Sequence, residues 1–149
     1  TRTKILGVVM ELKVKRLTET AILPEKAHQG DLGYDVFADE DVLIPAGKYK
    51  LVSTGISITS SNGKYGFIIK DRSSIAVKGL FTHAGVIDAG YIGEIKIFFH
   101  NVNQTSVKID KGDKIAQLVP QKVISFEVHE VNELFQTQRG DNGFGSTGK

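Results

Sequence analysis

The feature that most constrains the fold of this chain is a series of short runs in which large apolar residues alternate with polar ones. In residues 10–15, Met10, Leu12 and Val14 alternate with charged residues. A period of two is that of a half-buried β-strand, because successive side chains of a strand point to opposite faces. Further strands are predicted from similar β-rich runs at 49–59, 65–70, 94–101, 114–120 and 123–128.

Turn-forming residues separate these runs. The segments 45–47 (PAG), 61–63 (SNG) and 110–113 (DKGD) each combine glycine with proline, asparagine or aspartate. Many short strands at such spacing predict an all-β protein with a β-barrel or jelly-roll-like architecture. One short helix is predicted over 73–78, with Ser73 as its N-cap. A length of 149 residues fits one domain, so we expect residues 1–149 to form a single unit.

Composition excludes several classes of function. The chain has no cysteine, which rules out thiol catalysis, zinc–thiolate sites and disulfides. A net charge of +2 is too small to indicate a nucleic-acid partner by itself. No apolar run is long enough to span a bilayer, and a signal peptide is not recognisable. We therefore expect a cytoplasmic protein that binds neither membranes nor nucleic acids.

The C-terminal stretch from residue 136 onward is rich in glycine and polar residues, and Phe144 is its only large apolar side chain after Arg139. Such a composition cannot bury enough surface to order itself. It fits a frayed chain end. It also fits an arm that closes over a nucleotide, because Arg139, Ser146, Thr147 and glycine amides are good phosphate donors. We expect residues 137–149 to be flexible.

The segment 85–93 (GVIDAGYIG) is the strongest candidate for catalysis. Its glycines permit a tight hairpin, and Asp88 follows the apolar pair Val86 and Ile87. An aspartate in a turn is common and needs no function. Partial burial beside the hairpin would instead make Asp88 a candidate general base.

The segment 71–77 (DRSSIAV) offers a candidate anion site, because Arg72 and two hydroxyls stand where the helix is predicted to begin. A capped surface helix without a ligand explains the same residues equally well. The histidines have no metal-ligand spacing, and we expect structural or solvent-exposed roles for His28, His83, His100 and His129.

Five segments taken together are far more specific than any one of them. In chain order these are 33–38 (GYDVFA), 71–76 (DRSSIA), 85–94 (GVIDAGYIGE), 111–119 (KGDKIAQLV) and 139–148 (RGDNGFGSTG). They resemble the five ordered motifs of the trimeric deoxyuridine triphosphatases, the dUTPases. The resemblance implies the dUTPase-type β-clip fold and cleavage of dUTP to dUMP and pyrophosphate.

The resemblance also implies roles for the third motif. Asp88 would activate the water that attacks the α-phosphorus in line. The backbone of Gly85, Val86 and Ile87 would read uracil. Tyr91 would pack under the deoxyribose and exclude a 2′-hydroxyl.

The other motifs would hold the phosphates. The implied phosphate ligands are Arg72, Ser73, Ser74 and Gln117, together with Arg139, Gly145, Ser146 and Thr147 from the tail. Phe144 would stack on uracil, and Asp35 would support the site through magnesium-bound water. Mg²⁺ would be bound by the triphosphate and water, with no protein ligand. The protein would be a homotrimer with sites shared between chains.

Two departures from the family pattern stand out. Asn142 replaces a glycine before the aromatic residue of the fifth motif, a mild change because asparagine tolerates left-handed backbone. Asp71 takes a position that proline often holds. We expect Asp71 to pair with Arg72 and to weaken its hold on phosphate.

Two other functions compete with this interpretation. A dCTP deaminase, or a bifunctional deaminase and dUTPase, shares the fold and much of the second and third motifs. Such deaminases carry a catalytic glutamate in the next strand, whereas residues 95–101 contain no acidic residue and Phe98 stands at about that place. A non-catalytic nucleotide-binding regulator would be expected to lack the base aspartate, and Asp88 is present.

Overall fold

The computed structural model describes residues 10–145, and this part of the chain consists almost entirely of β-strands joined by tight turns. The elements in chain order are β1 (Leu12–Arg16), β2 (Tyr34–Phe37), β3 (Val42–Ile44), β4 (Tyr49–Ser53), β5 (Ile56–Ser60), β6 (Tyr65–Asp71), α1 (Ser73–Ala76), β7 (Leu80–His83), β8 (Val86–Ile87), β9 (Lys96–Asn101), β10 (Val107–Ile109) and β11 (Lys114–Lys122).

The strands of the described residues form four antiparallel sheets. The largest has the order β2–β11–β6–β8, and a second has the order β4–β9–β7. Two pairs, β1–β5 and β3–β10, complete the set. The all-β class is therefore confirmed, in a jelly-roll-like arrangement of separate ladders and not in one continuously closed barrel.

The inner faces of these ladders share one apolar core. On β9, the residues Ile97 and Phe99 are fully buried, and Ile95 just before the strand is 1% exposed. This is the face that the alternation in 94–101 predicts. Side chains of β2, β4 and β11 pack into the same cluster, among them Val36, Val52 and Leu118.

Glycines with left-handed backbone lie at several of the turns that separate the strands. The predicted run 49–59 is divided into β4 and β5 at Gly55, whose φ of +70° lies in the left-handed region. A Cβ at Gly55 would also lie 2.6 Å from the Asp39 carboxylate. The turns predicted at 45–47, 61–63 and 110–113 are present, each with a glycine of positive φ.

Two predicted elements differ from the structure. Helix α1 ends at Ala76, and Arg72 is its N-cap without a side-chain cap bond, so the prediction of a Ser73 cap is wrong. The prediction of a strand at 123–128 is wrong within the described residues, because this segment belongs to no sheet. A strand needs a hydrogen-bonding neighbour, and β11 finds its neighbours only up to Lys122. Within residues 10–145, no helix is long and apolar enough to cross a bilayer.

Candidate active site

Arg72 is the centre of a polar cluster where three strands of the largest ladder meet. It directly follows β6, and the neighbouring β11 lies between β6 and β2. The Arg72 Nε lies 3.1 Å from Asp35 Oδ1 on β2. The Arg72 side chain is 28% exposed and that of Asp35 15%, so this ion pair is partly shielded from water. We call Asp35, Arg72, Ser73, Ser74 and Gln117 the Arg72 cluster.

The guanidinium of Arg72 is held at two of its three nitrogens. Besides Nε on Asp35, its Nη1 lies 3.4 Å from both the Ser74 hydroxyl and the Lys114 carbonyl oxygen. The expected pair between Asp71 and Arg72 is wrong, since the Asp71 carboxylate accepts a hydrogen bond from the Thr82 backbone N–H at 2.8 Å. Residues adjacent in extended backbone point in opposite directions, which separates these two side chains.

Gln117 completes the cluster from the middle strand. Its register places it between Asp35 on β2 and Lys70 on β6. The amide Nε2 donates to the Asp71 carbonyl at 3.0 Å. A Cβ at Gly33 would clash with the Gln117 side chain, so the glycine provides the space that the amide occupies.

The residues around Asp88 form a second group. We call residues 85–93 the Asp88 segment. Its β8 part pairs with β6 and not with the residues that follow the turn, so the prediction of a hairpin is correct only for the tight turn itself. The close crossing requires glycines, because a Cβ at Gly66 would meet the Ile87 carbonyl at 2.6 Å and one at Gly85 the Ile69 carbonyl at 2.7 Å.

A cleft of about 570 Å³ opens beside this segment. It is lined by apolar Leu51, Ile87 and Ile95 and by polar Asp88 and Tyr91. Its mixed lining and volume suit a small ligand with one flat apolar part. The Tyr91 hydroxyl donates to the Glu94 carbonyl at 2.8 Å, which fixes the ring at the mouth of the cleft.

Asp88 is exposed in the single chain, and the partial burial that would mark it as a base is therefore not present. Its backbone carbonyl accepts from the Tyr91 N–H at 3.1 Å, which closes the turn. The Asp88 side chain lines the cleft, and its carboxylate has no hydrogen-bonding partner among the described residues.

The two groups lie at opposite ends of β6. The Asp88 backbone contacts Gly66, whereas Arg72 follows the other end of the strand. Six residues of strand separate these positions, which corresponds to about 20 Å. One chain therefore does not bring Asp88 to the Arg72 cluster.

The tail stands apart from both groups. Within it, Arg139 Nε donates to the Asn142 carbonyl at 2.9 Å, and Phe144 is fully exposed. Left-handed backbone occurs at Phe144 and not at Asn142, so the substitution of glycine by Asn142 causes no strain here. The predicted ligands Ser146 and Thr147 lie outside the described residues, and Gly145 is the last residue described.

Two charged residues beside the Arg72 cluster, Lys114 and Glu25, were not predicted from the sequence. Lys114 Nζ lies 3.6 Å from Asp35 Oδ2 and 3.9 Å from Glu25 Oε1. Lys114 lies three residues before Gln117 in the sequence. This spacing places both side chains on one face of the sheet only because a β-bulge lies between them, and the sequence does not reveal the bulge. Nothing in the sequence near Glu25 indicates its place beside Asp35.

The histidines behave as expected where the structure gives them contacts. His83 and His100 lie on neighbouring strands beside Tyr49 and Phe98, and His100 stacks on Tyr49 with centroids 4.2 Å apart. Across residues 10–145, no group of three or more acidic or histidine side chains is placed to bind a metal ion.

Comparisons with known proteins agree on one family. The dUTPase family model matches residues 19–148. The chain is 46% identical to the deoxyuridine 5′-triphosphate nucleotidohydrolase of Paramecium bursaria Chlorella virus 1, with 92% of this chain and 97% of that protein covered. It is 43% identical to the enzyme of the same name from Clostridium tetani, with 93% and 97% covered.

Solved structures give the same result for the fold. The dUTPase of Staphylococcus bacteriophage 80alpha, as a mutant with dUpNHpp, superposes with a TM-score of 0.86 at 29% identity, covering 93% of this chain and 99% of that one. A mutant dUTPase of phage phi11 of S. aureus, described with a structural Mg(II) ion, has a TM-score of 0.77 at 27% identity, with 85% and 99% covered.

Proposed function

This chain belongs to the dUTPase family, and on that premise we propose that it hydrolyses dUTP to dUMP and pyrophosphate. The observation that carries the proposal is the extent of the family match, because residues 19–148 include all five motif segments. The geometry supports it with two complementary groups, a fixed arginine for phosphate and a carboxylate beside a cleft of nucleoside size.

The Arg72 cluster suits the triphosphate. Phosphoryl transfer depends on charge neutralisation and in-line positioning more than on covalent chemistry with the protein. Arg72, Ser73, Ser74 and Gln117 supply donors for phosphate oxygens. Since Asp35 holds the Nε edge of Arg72, the remaining guanidinium nitrogen stays available for a charge-assisted hydrogen bond.

The Asp88 segment suits the nucleoside and the attacking water. The backbone of Gly85, Val86 and Ile87 would read the uracil edge, and Tyr91 would support the deoxyribose. Asp88 would take a proton from water while the water oxygen bonds to the α-phosphorus. The bond from that phosphorus to the bridging oxygen breaks, and pyrophosphate leaves.

Magnesium fits this site as a companion of the substrate. Both oxygens of Asp35 face cations, Arg72 Nε and Lys114 Nζ, which leaves this carboxylate poorly suited as a direct metal ligand. We therefore assign Mg²⁺ to the triphosphate and its water shell, which Asp35 would support through bound water. The ion would supply charge neutralisation on the triphosphate.

A complete site requires more than one copy of the chain. Asp88 and Arg72 are separated by about 20 Å along β6. We propose a homotrimer in which the Arg72 cluster of one copy faces the Asp88 segment of another. Each copy would contribute residues 1–149 as a single domain.

The segment that follows β11 supports contact between copies. Its large apolar side chains are exposed in the single chain, and a monomer does not usually leave such a stretch uncovered. They are Val123, Ile124, Phe126, Val128, Val131, Leu134 and Phe135. A neighbouring copy would bury them and direct the flexible arm, residues 137–149, over a shared site.

The arm would close over bound nucleotide. Arg139, Gly145, Ser146 and Thr147 would bind phosphates, and Phe144 would stack on uracil. Closure expels water around the α-phosphorus and strengthens the electrostatic interactions there.

Pyrophosphate release from dUTP, UTP, dTTP and dCTP, measured side by side, tests the function. Turnover of dCTP should lie roughly 10⁴-fold below that of dUTP, because a site built to pair with the uracil edge leaves polar groups unpaired with cytosine. UTP and dTTP have the same base edge as dUTP, and they should be disfavoured because Tyr91 would clash with the 2′-hydroxyl and the Asp88 segment would leave no room for the 5-methyl group. Comparable rates with dUTP and UTP would show that Tyr91 does not exclude the 2′-hydroxyl. Ammonia released from dCTP would identify a deaminase, and dUTP binding without turnover would identify a regulator.

A further inference from the structure

We propose that Lys114 is a positioning residue of the phosphate site, which holds Asp35 so that Arg72 keeps one guanidinium nitrogen free for the triphosphate. The inference rests on the proposed function, since it deepens the role of the Arg72 cluster. It concerns a residue that contacts Asp35 and Glu25 and is not itself a substrate ligand in this assignment.

A β-bulge brings Lys114 to the correct face of the sheet. Residues three apart on a regular strand point to opposite faces, which would separate Lys114 from Gln117. The register of β11 against β2 shifts between Lys114 and Ala116, so Lys114 pairs with Phe37 and Gln117 with Asp35. Because Phe37 and Asp35 are two residues apart, all four positions lie on one face. Bulges commonly redirect a side chain beside a functional site.

The burial of the residues in β11 also indicates the bulge. Ile115 is fully buried, and so is the next residue, Ala116. Two consecutive buried residues break the alternation expected of a strand with one face covered. The lysine before them is thereby placed on the polar side of the strand end.

Two cations, Lys114 and Arg72, contact the Asp35 carboxylate at different oxygens. Lys114 Nζ lies 3.6 Å from Asp35 Oδ2, while Arg72 Nε lies 3.1 Å from Oδ1. Each carboxylate oxygen thus has its own cation. With Oδ2 engaged by Lys114, Asp35 holds Arg72 at Nε, which leaves another guanidinium nitrogen outside this pair.

The backbone of Lys114 acts on the same arginine. Its carbonyl oxygen lies 3.4 Å from Arg72 Nη1. Side chain and backbone of one residue therefore restrict Arg72 from two directions. Glu25 steadies the ammonium, and its own backbone is bridged to Asp35 by N–H···O bonds of 3.1 and 2.7 Å.

Removing the charge of Lys114 should release Asp35 Oδ2 to compete for Arg72. We expect Lys114→Met to raise the KM for dUTP roughly three- to tenfold, the range of a partly exposed charge pair, with a smaller change in kcat. Lys114→Arg should restore most of the affinity, because it retains a cation at the same place. Lys108→Met is the matched control, since Lys108 is an exposed lysine whose Nζ lies 3.2 Å from Asp110 Oδ1.

A double-mutant cycle separates positioning from general stability. In an Asp35→Asn background the Lys114→Met change should lose most of its effect on KM, because the competing carboxylate is gone. An unchanged KM in Lys114→Met would overturn the proposal, as would effects that simply add in the double variant or a loss that arginine does not rescue. If wild-type protein shows no dUTP turnover, the proposed function fails instead. Calorimetric binding of a non-hydrolysable dUTP analogue to the Lys114 variants would still report on Lys114 in that case.

Discussion

At the scale of single residues, Asp88 is the proposed catalytic base although it is exposed in the single chain. The carboxylate lies at the edge of a cleft and is exposed, so burial within the chain gives no reason for it to act as a base. Its assignment depends on the motif and on the cleft that it shares with Tyr91. A neighbouring copy would supply the phosphate ligands and with them the substrate atom that the water attacks.

Asp88→Asn tests this assignment. Turnover should fall by ~10²–10⁴-fold, because the amide cannot accept the proton of the attacking water. Affinity for a non-hydrolysable dUTP analogue should remain near that of wild type, since the backbone of the Asp88 segment reads the base. Rates are measured by pyrophosphate release and affinity by calorimetry. Near-normal turnover would exclude Asp88 as the base.

Asp39 is a structural carboxylate with a testable pH effect. Thr18 Oγ1 and Thr20 Oγ1 donate to its two oxygens at 2.5 and 2.7 Å. Burial raises the pKa of Asp39, but these hydrogen bonds and the charge of Lys111 together lower it below its ordinary 3.8. The ionised form is therefore favoured in the folded protein, and its stabilisation is present above pH 3.8 and lost as pH falls through the folded pKa.

Asp39→Asn should lower the free energy of unfolding by about 1–2 kcal/mol at pH 7, because hydrogen bonds to a charged group are lost. The difference from wild type should shrink as pH falls below 3.8. Urea unfolding at fixed protein concentration measures both values. Asp110→Asn, at an exposed ion pair with Lys108, serves as the control and should change stability by less than about 1 kcal/mol. A difference that stays constant with pH would contradict the role of the ionised carboxylate.

At the scale of elements, the segment after β11 is where we propose that a neighbouring copy makes contact. Its backbone continues from a strand with two neighbours, and yet its apolar side chains lie in solvent in the single chain. Residues 139–142 fold back locally through the bond from Arg139 to Asn142. Local turns of this kind cost little to rearrange, which suits an arm that orders on a ligand.

Deletion of residues 139–149 should leave the fold and the assembly intact but reduce turnover sharply. Phe144→Ala should cause a smaller loss, because stacking of an aromatic ring on a base is worth about 1–3 kcal/mol while the deletion also removes the phosphate donors. Amide exchange in the arm should slow when a non-hydrolysable dUTP analogue is added. Full activity of the truncated protein would show that the arm is an ordinary chain end.

At the scale of the whole molecule, the separation of Asp88 from Arg72 underlies the proposal that the active site is shared between copies. About 20 Å of β6 separates the two groups, and the strand is paired on both sides, with β8 and β11. A paired strand does not bend enough to close such a gap. This separation supports the proposal that two copies together complete each site.

Subunit mixing tests the shared site directly. Arg72→Ala and Asp88→Asn should each be inactive, but mixed assemblies should regain activity, because some sites combine an intact Arg72 with an intact Asp88 from different copies. Random mixing of equal amounts should leave about one quarter of such sites intact. Light scattering should give three times the chain mass of 16.3 kDa. Mixtures that stay inactive, or a fully active monomer, would contradict sites shared between copies.

The sequence by itself determined the family, the glycine turns and several of the strands, but not β2, β3, β7 or β10. Alternation in 94–101 identified the buried face of β9, because side-chain direction along a strand is a local property. The glycine turns were also predictable, since left-handed backbone favours glycine wherever it occurs. The five motif segments identified the family and the candidate site residues without any knowledge of their spatial arrangement.

Only the tertiary structure decided which of these residues meet. Arg72 pairs with Asp35, 37 positions away, and not with its neighbour Asp71, because strand register and not sequence distance selects an ion-pair partner. The bulge before Ala116 turned Lys114 toward the same carboxylate, which strict alternation had excluded. The separation of Asp88 from Arg72 likewise follows from the antiparallel pairing of β6 with β8, a long-range contact that no local pattern encodes.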